Sequence, residues 1–136
     1  MHVLNRMVGT RIVSTPEAIK KIMAAQWPDQ AILLRFAEDE LFVTPPIKNG
    51  EAAIQQVDPH AIVVREGSFS GVWIEIAEAT SILERSCEWE WPNLKQGPTF
   101  AQGMVAGLPT KLYFEEEKVL FLVSTPYAHE MEERLV

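Results

Sequence analysis

The 136-residue sequence predicts an α+β fold in the ferredoxin-like style, a mostly antiparallel sheet with helices on one face. Two segments with helical spacing of apolar residues each follow directly on a β-rich segment. Other β-rich segments come in pairs separated by a few polar residues, which is typical of antiparallel hairpins. Because each helix has a single apolar face, that face must pack on a second layer, and we expect this layer to be the sheet.

The first helix is predicted directly after a strand at residues 10–13. Thr15 is a suitable N-cap, Pro16 is favoured at the first helical position, and Glu17 lies where the helix dipole favours an acid. We expect the helix to end at Pro28. Its apolar face consists of Ile19, Ile22, Met23 and Trp27.

A hairpin is predicted next, with strands at residues 31–36 and 40–44 and an acidic turn at Glu38-Asp39. Pro45 and Pro46 should end the pairing, since proline cannot donate a hydrogen bond to a sheet. The region after the hairpin is less regular. It contains a turn signal at Asn49-Gly50, an ambiguous short helix at 51–57, a strand-like stretch at 60–66 and "GSFSG" at 67–71, which we expect to be a flexible link or a hairpin loop.

A second strand and helix are predicted from residue 71 onwards. The strand covers residues 71–76, and the helix that follows has Ala79, Ile82, Leu83 and Cys87 on its apolar face. The C-terminal third should form three strands and a final helix. These are strands at 99–106, 110–114 and 118–123, with breaks at Gly107 and Pro109, and a helix capped by Thr125 and Pro126 with Tyr127, Met131 and Leu135 inward.

Two internal similarities suggest a repeat. Residues 9–22 align with 71–83, and residues 35–45 align with 113–126. Two interpretations stay open, chance similarity in an apolar-rich chain or two pseudo-symmetric β-α-β-β halves at 9–45 and 71–126. In either case we predict one domain, because residues 1–136 fit the usual size of a single domain.

The composition excludes several classes of function. The chain is acidic, with a net charge of −7 and a pI of about 4.9, so we expect no nucleic-acid partner and no anionic membrane surface. No apolar run is long enough to span a bilayer, and the N-terminal segment lacks the pattern of a signal peptide. The single cysteine cannot form an internal disulfide. These observations predict a cytoplasmic protein.

A family resemblance covers roughly residues 61–135. The stretch "GSFSGVWIEIAEATSILERSCEWEWP", followed by "AQGMVAGLPTKLYFEEEKVLFLVSTPYAHEMEERL", resembles the sarcosine oxidase gamma subunit and related domains of the glycine-cleavage T-protein type. The resemblance lies in a strand leading into a helix, a small-residue turn like Ala106-Gly107, and the final apolar strand. It implies an accessory chain of a flavin- and folate-using oxidase. Such a chain has no catalytic residues of its own, so the resemblance assigns no site residue and no cofactor.

The reactive side chains do not form a recognisable catalytic or metal-binding pattern. Cys87 lies at a helix C-terminus, where the dipole disfavours a thiolate, so we interpret it as a core residue. His2, His60 and His129 lack metal-ligand spacing. "GSFSG" lacks the lysine of a phosphate-binding loop. We therefore expect no metal and no cofactor, and the sequence favours a non-catalytic protein over an enzyme.

Two functional hypotheses remain. The first is a non-catalytic accessory or protein-binding domain that docks on a protein partner or forms a homodimer. Its contacts would be an exposed sheet edge or the tryptophans Trp73, Trp89 and Trp91, although these also suit core or edge packing. The alternative is a small ligand-binding or enzymatic domain with a pocket between the two halves, for example for a folate-like ligand. Its polar groups would be Arg35, Arg65, His60 and Glu66.

Overall fold

A computed structural model describes residues 2–86 and 98–136 of the chain. They form two compact units. The first is Met7–Gly67, here called the 7–67 unit. The second, here called the 68–136 unit, combines the described residues of Ser68–Val136 with those up to Arg6. Each unit has one antiparallel sheet and two helices, so the predicted α+β class is confirmed.

Both units are built from short strands and short helices. In chain order they are β1 (Asn5–Arg6), β2 (Gly9–Val13), α1 (Pro16–Ala24), β3 (Ile32–Ala37), β4 (Glu40–Thr44), α2 (Glu51–Val57), β5 (Ile62–Glu66), β6 (Phe69–Glu75), α3 (Ile76–Ser86), β7 (Thr99–Val105), β8 (Leu108–Phe114), β9 (Lys118–Ser124) and α4 (Ala128–Arg134). A 3-10 turn at Thr125–Tyr127 joins β9 to α4.

In the 7–67 unit the strand order is β3-β4-β2-β5, and every neighbouring pair is antiparallel. Helices α1 and α2 both pack on one face of this sheet. Ile19 and Ile22 of α1 and Ile54 of α2 share an apolar core with sheet residues. The sheet residues of that core are Ile12, Leu41 and Val43, with Leu33 and Val63 packed against it.

Helix α1 begins as predicted and ends earlier. The backbone N–H of Ala18 donates to the Thr15 hydroxyl at 3.1 Å, which confirms the N-cap. The helix ends at Ala24 and not at Pro28. Residues directly before a proline avoid helical backbone angles, so the stop signal acts one or more residues ahead of Pro28. Trp27 thus lies outside the helix, and its indole N–H donates to the carbonyl of Ile22 at 2.9 Å.

In the 68–136 unit the strand order is β1-β6-β9-β8-β7. Strand β9 is buried along Val119–Val123, and β6 pairs with it over its whole length. Helices α3 and α4 cover one face, where Ile82 and Met131 lie in the same core as Phe121. The prediction of a loop at residues 67–71 was wrong, because Phe69 and Ser70 already pair with β9 and continue β6.

Three further predictions for the C-terminal third need correction. Pro109 lies inside β8 opposite Met104 and does not break it, because β8 pairs with β9 only from Lys111 onwards and needs no donor there. Thr125 does not cap a helix, since its hydroxyl is hydrogen-bonded to that of Ser70 at 3.0 Å. Tyr127 is exposed, whereas Met131 and Leu135 are buried as predicted.

Gly9 lets its backbone lie close to the side chain of Phe42 and the carbonyl group of Val43. A Cβ at this position would lie 2.5 Å from Cζ of Phe42 and 2.5 Å from the carbonyl oxygen of Val43. The substitution Gly9→Ala should therefore lower the free energy of unfolding by about 1–3 kcal/mol, measured by urea denaturation. Gly67→Ala is the matched control, since nothing lies within 4 Å of its added Cβ. Equal stability of the two variants would contradict this packing.

Candidate ligand pocket

A cavity of about 830 Å³ opens in the 7–67 unit. It is formed by the C-terminal end of α1 and the residues after it, the segment between β4 and α2, helix α2, and the sheet. This volume falls within the range of small-molecule sites, roughly 300–1,000 Å³. The lining consists of Ile22, Ala25, Gln26, Trp27, Pro28, Gln30, Ala31, Val43, Pro45, Pro46, Ile47, Lys48, Gly50, Ala53, Ile54, Val57 and Arg65.

Helix α2 forms one wall, and hydrogen bonds to strand β2 and its end hold it in place. Before the helix, the backbone N–H of Ile47 donates to the buried hydroxyl of Thr10 at 2.8 Å. After the helix, the hydroxyl of Ser14 donates to the carboxylate of Asp58 at 2.6 Å. Between these points Ile54, at 5% exposure, is the only buried side chain of α2. The helix is thus fixed at both ends while most of its surface remains outside the core.

The opposite wall comes from the chain after α1. The indole of Trp27 is held by its hydrogen bond to Ile22, and both residues line the cavity. The next turn is closed by the N–H of Ala31, which donates to the carbonyl of Pro28 at 2.9 Å. These contacts give the cavity a fixed aromatic surface. Tryptophan contributes large contact area with few rotatable bonds, which suits a preformed binding wall.

The charged residues of the lining are two cations, Lys48 and Arg65, and the lining contains no acid. Across the sheet, Arg65 lies opposite Thr10, which in turn lies opposite Val43. Because Thr10 also binds Ile47, the residue before Lys48, both cations lie at the same end of the sheet. Within residues 2–86 and 98–136, neither cation has a hydrogen bond or salt bridge from its side chain to another residue.

The lining contains few of the side chains that catalytic mechanisms commonly use. It contains no His, Cys, Ser, Asp or Glu, and the amine of Lys48 is its one group that can act as a base or nucleophile. Its neutral polar groups are the amides of Gln26 and Gln30. In the described part of the chain, no three His, Cys, Asp or Glu side chains are close enough to hold a metal ion.

Of the four residues predicted to bind a ligand, the structure places Arg65 in the pocket and the other three outside its lining. Arg35 binds the carbonyls of Glu38 at 2.7 Å and Pro16 at 3.4 Å, near the start of α1. His60 is exposed beside Asp58. Glu66 is half-buried opposite Gly9.

The predicted partner-binding tryptophans are described only in part. Trp73 is half-buried on β6 and packs edge-to-face on Tyr113, with ring centroids 6.3 Å apart. The ammonium group of Lys118 lies 4.2 Å from the centroid of the Trp73 ring. The indole of Trp73 is therefore in contact with two residues of its own unit. Trp89, Trp91 and Cys87 lie outside the described residues.

Sequence reasoning missed Trp27, Ile47 and Lys48 as pocket residues. Trp27 was interpreted as part of the apolar face of α1. The signal available in the sequence was the segment "PPIKNG", residues 45–50, which joins a strand to a short helix through prolines and a turn. In the structure this segment includes a cis bond between Thr44 and Pro45 and a left-handed Asn49 with φ of 58°.

No family model and no curated protein sequence matches the chain. The resemblance to the sarcosine oxidase gamma subunit therefore stays a prediction. Among the helices of residues 2–86 and 98–136, none combines the length and the apolar character needed to cross a membrane.

The contact between Ser14 and Asp58 predicts a dependence of stability on pH. Two hydrogen bonds lower the pKa of the Asp58 carboxyl below its ordinary value. The larger effect comes from the Ser14 hydroxyl and the smaller from the backbone N–H of His60. The carboxylate therefore stabilises the fold above the ordinary pKa of an aspartate, and this contribution is lost as the pH falls through the lowered value. Ser14→Ala should be less stable than wild type at neutral pH, and the difference should narrow below about pH 4.

Urea denaturation between neutral pH and about pH 3 measures this effect. Ser81→Ala, which removes an exposed hydroxyl from α3, is the matched control and should follow the wild-type curve at every pH. A stability difference between Ser14→Ala and wild type that does not change with pH would contradict the role of Asp58.

Proposed function

We propose that the 7–67 unit is a non-catalytic binding domain for a small organic molecule, with the cavity beside α2 as its site. The observation that carries the proposal is a cavity of about 830 Å³ with an apolar, partly aromatic lining and four polar residues. Small-molecule sites have this composition, since apolar walls supply contact area and a few polar groups fix orientation. The absence of His, Cys, Ser, Asp and Glu from the lining, which leaves Lys48 as its one basic nucleophile, favours binding over catalysis.

The resemblance to the sarcosine oxidase gamma subunit covers about residues 61–135, and the accessory role that it implies is compatible with ligand binding by the 7–67 unit. An accessory chain without catalytic residues can still bind a ligand or report its presence to a partner. A folate-like ligand stays one candidate, because it combines a flat ring system with carboxylates. The cavity supporting the proposal lies inside the 7–67 unit, whereas the sequence hypothesis expected a pocket between the two halves. We expect the protein to act in the cytoplasm.

We also propose that the fold is ferredoxin-like and internally repeated. In the 7–67 unit the order β3-β4-β2-β5 corresponds to the second, third, first and fourth strands of a β-α-β-β-α-β chain. The order β8-β9-β6-β1 of the 68–136 unit follows the same scheme, with α3 and α4 in the positions of α1 and α2. In that unit the N-terminal β1 takes the fourth position, and β7 is an additional edge strand. These equivalences support the repeat proposed from the sequence.

Self-association through β5 is a second proposed role. Strand β5 is an edge of its sheet, and its apolar side chains Ile62 and Val64 are 55% and 43% exposed. An edge strand presents unpaired backbone groups to a further strand. Two copies of β5 can pair antiparallel about a two-fold axis at Val64, which would bury Ile62 and Val64 of both copies. We therefore take a second copy of this chain as the partner.

Filling the cavity tests the first role. Ala53 and Ala52 are neighbouring exposed residues of α2, and only Ala53 lines the cavity. The neutral apolar dye Nile red should bind wild type and the Ala52→Trp control, while Ala53→Trp should weaken binding by about tenfold or more. Fluorescence titration measures the affinities, and thermal unfolding checks that both variants are folded. Equal binding by the two variants would contradict this site.

Light scattering after size-exclusion chromatography tests the second role. We expect a dimer for wild type and a monomer for Val64→Lys, since a charge on an edge strand opposes pairing. Met104→Lys is the control, because Met104 is an exposed apolar residue, at 55%, on the edge strand β7. A monomeric wild type, or a dimer that survives Val64→Lys, would exclude pairing through β5.

A further inference from the structure

The charged side chains that line the cavity are positive, whereas the net charge of the protein is negative. The chain has 19 acidic and 12 basic residues, yet the lining includes two cations and no acid. A carboxylate beside Lys48 or Arg65 would stabilise either cation, but neither has such a partner among residues 2–86 and 98–136. Both charged side chains of the lining are thus cationic although the protein is acidic, and this favours an anionic group over a cationic one.

The cavity combines two cations with a mainly apolar lining. Arg65 and Lys48 lie at the end of the sheet marked by Thr10. The apolar wall made by Trp27 and Ile22 comes from the end of α1 and is continued by Ile54 of α2. A ligand with one anionic group and an apolar body matches this composition. A compact polar anion would leave the apolar lining unfilled, and a neutral apolar molecule would leave both cations unpaired.

We propose that the cavity binds an amphipathic anion, with an apolar body against Trp27 and Ile54 and a single anionic head group at Lys48 and Arg65. This inference rests on the proposed binding function of the 7–67 unit. The planar guanidinium of Arg65 can bind a carboxylate or a phosphate through two parallel hydrogen bonds, while the lysine adds a point charge. Carboxylates and phosphate monoesters share this chemistry, and the experiment below separates them.

The experiment displaces Nile red from wild-type protein with four unbranched ten-carbon compounds: decanoate, decyl phosphate, decanol and decylamine. Because the apolar body is the same, the comparison isolates the head group. Decanoate or decyl phosphate should displace the dye at concentrations about tenfold lower than decanol, and decylamine should be the weakest. The anion with the lower displacement concentration identifies the head group.

The double variant Lys48→Gln/Arg65→Gln should reduce this preference for anions to less than about threefold, with displacement by decanol unchanged. The double variant Lys20→Gln/Lys21→Gln is the control. It removes the same charge from exposed residues of α1 that do not line the cavity, and it should retain the preference. An equal loss in the control would assign the effect to net charge and overturn the proposal.

The outcomes separate this inference from the proposed function. If Ala53→Trp does not affect Nile red binding, the cavity is not the binding site and both proposals fail. If Ala53→Trp abolishes binding but the four compounds displace the dye equally, the binding function stands and the anionic ligand is excluded. A preference for decylamine likewise overturns the inference alone.

Discussion

The pair of hydrogen bonds that attaches α2 to strand β2 is the constraint on which the cavity depends. Thr10 holds the segment before the helix, and Ser14 holds Asp58 directly after it. A helix of this length has little stability of its own in water. Apart from these contacts it has one buried side chain, Ile54, to fix it on the sheet. Strand β2 therefore sets the position of α2, which forms one wall of the cavity. Because α1 already ends at Ala24, the residues that follow it can line the cavity as well.

This attachment places the polar and charged groups that the proposed ligand would contact. Thr10 is in register with Arg65 on one side and with Val43 on the other, so one buried threonine aligns a cation, a hydroxyl and an apolar floor. Because α1 ends at Ala24, Trp27 lies outside the helix, and its side chain lines the cavity. The functional proposal thus depends on three local features: the attachment of α2, the register of the strands at Thr10 and the early end of α1.

The sequence was sufficient for the general architecture, because hydrophobic periodicity and caps act locally. The α+β class, the Thr15 cap and the buried faces of Ile19, Ile22 and Ile82 all follow from such patterns. Features that depend on pairing between distant strands were not predicted. Phe69 continues β6 only because β9 offers a full-length partner, and Thr125 binds Ser70 across that pairing and so does not cap a helix.

Of the residues that line the candidate site, the sequence predicted only Arg65, because the lining is assembled from segments that are distant in the chain. Arg65 could be suspected from the sequence as a cation on a strand, but its neighbours in the cavity come from three other segments. Trp27 and Lys48 are separated in the chain by a whole hairpin, and only the sheet register together with the attachment of α2 brings them to one cavity. The other three predicted residues, Arg35, His60 and Glu66, are also polar or charged and lie outside the lining.

The most direct test of a ligand site beside α2 is a nitrogen–proton NMR titration of the full chain with decanoate, with the indole signal of Trp27 identified from a Trp27→Phe variant. We expect the Trp27 indole signal and the amides of residues 47–57 to shift in a saturable manner, while the indole signal of Trp73, packed on Tyr113, stays unchanged. An unshifted Trp27 indole at saturating decanoate, or shifts that begin at Trp73, would contradict the account.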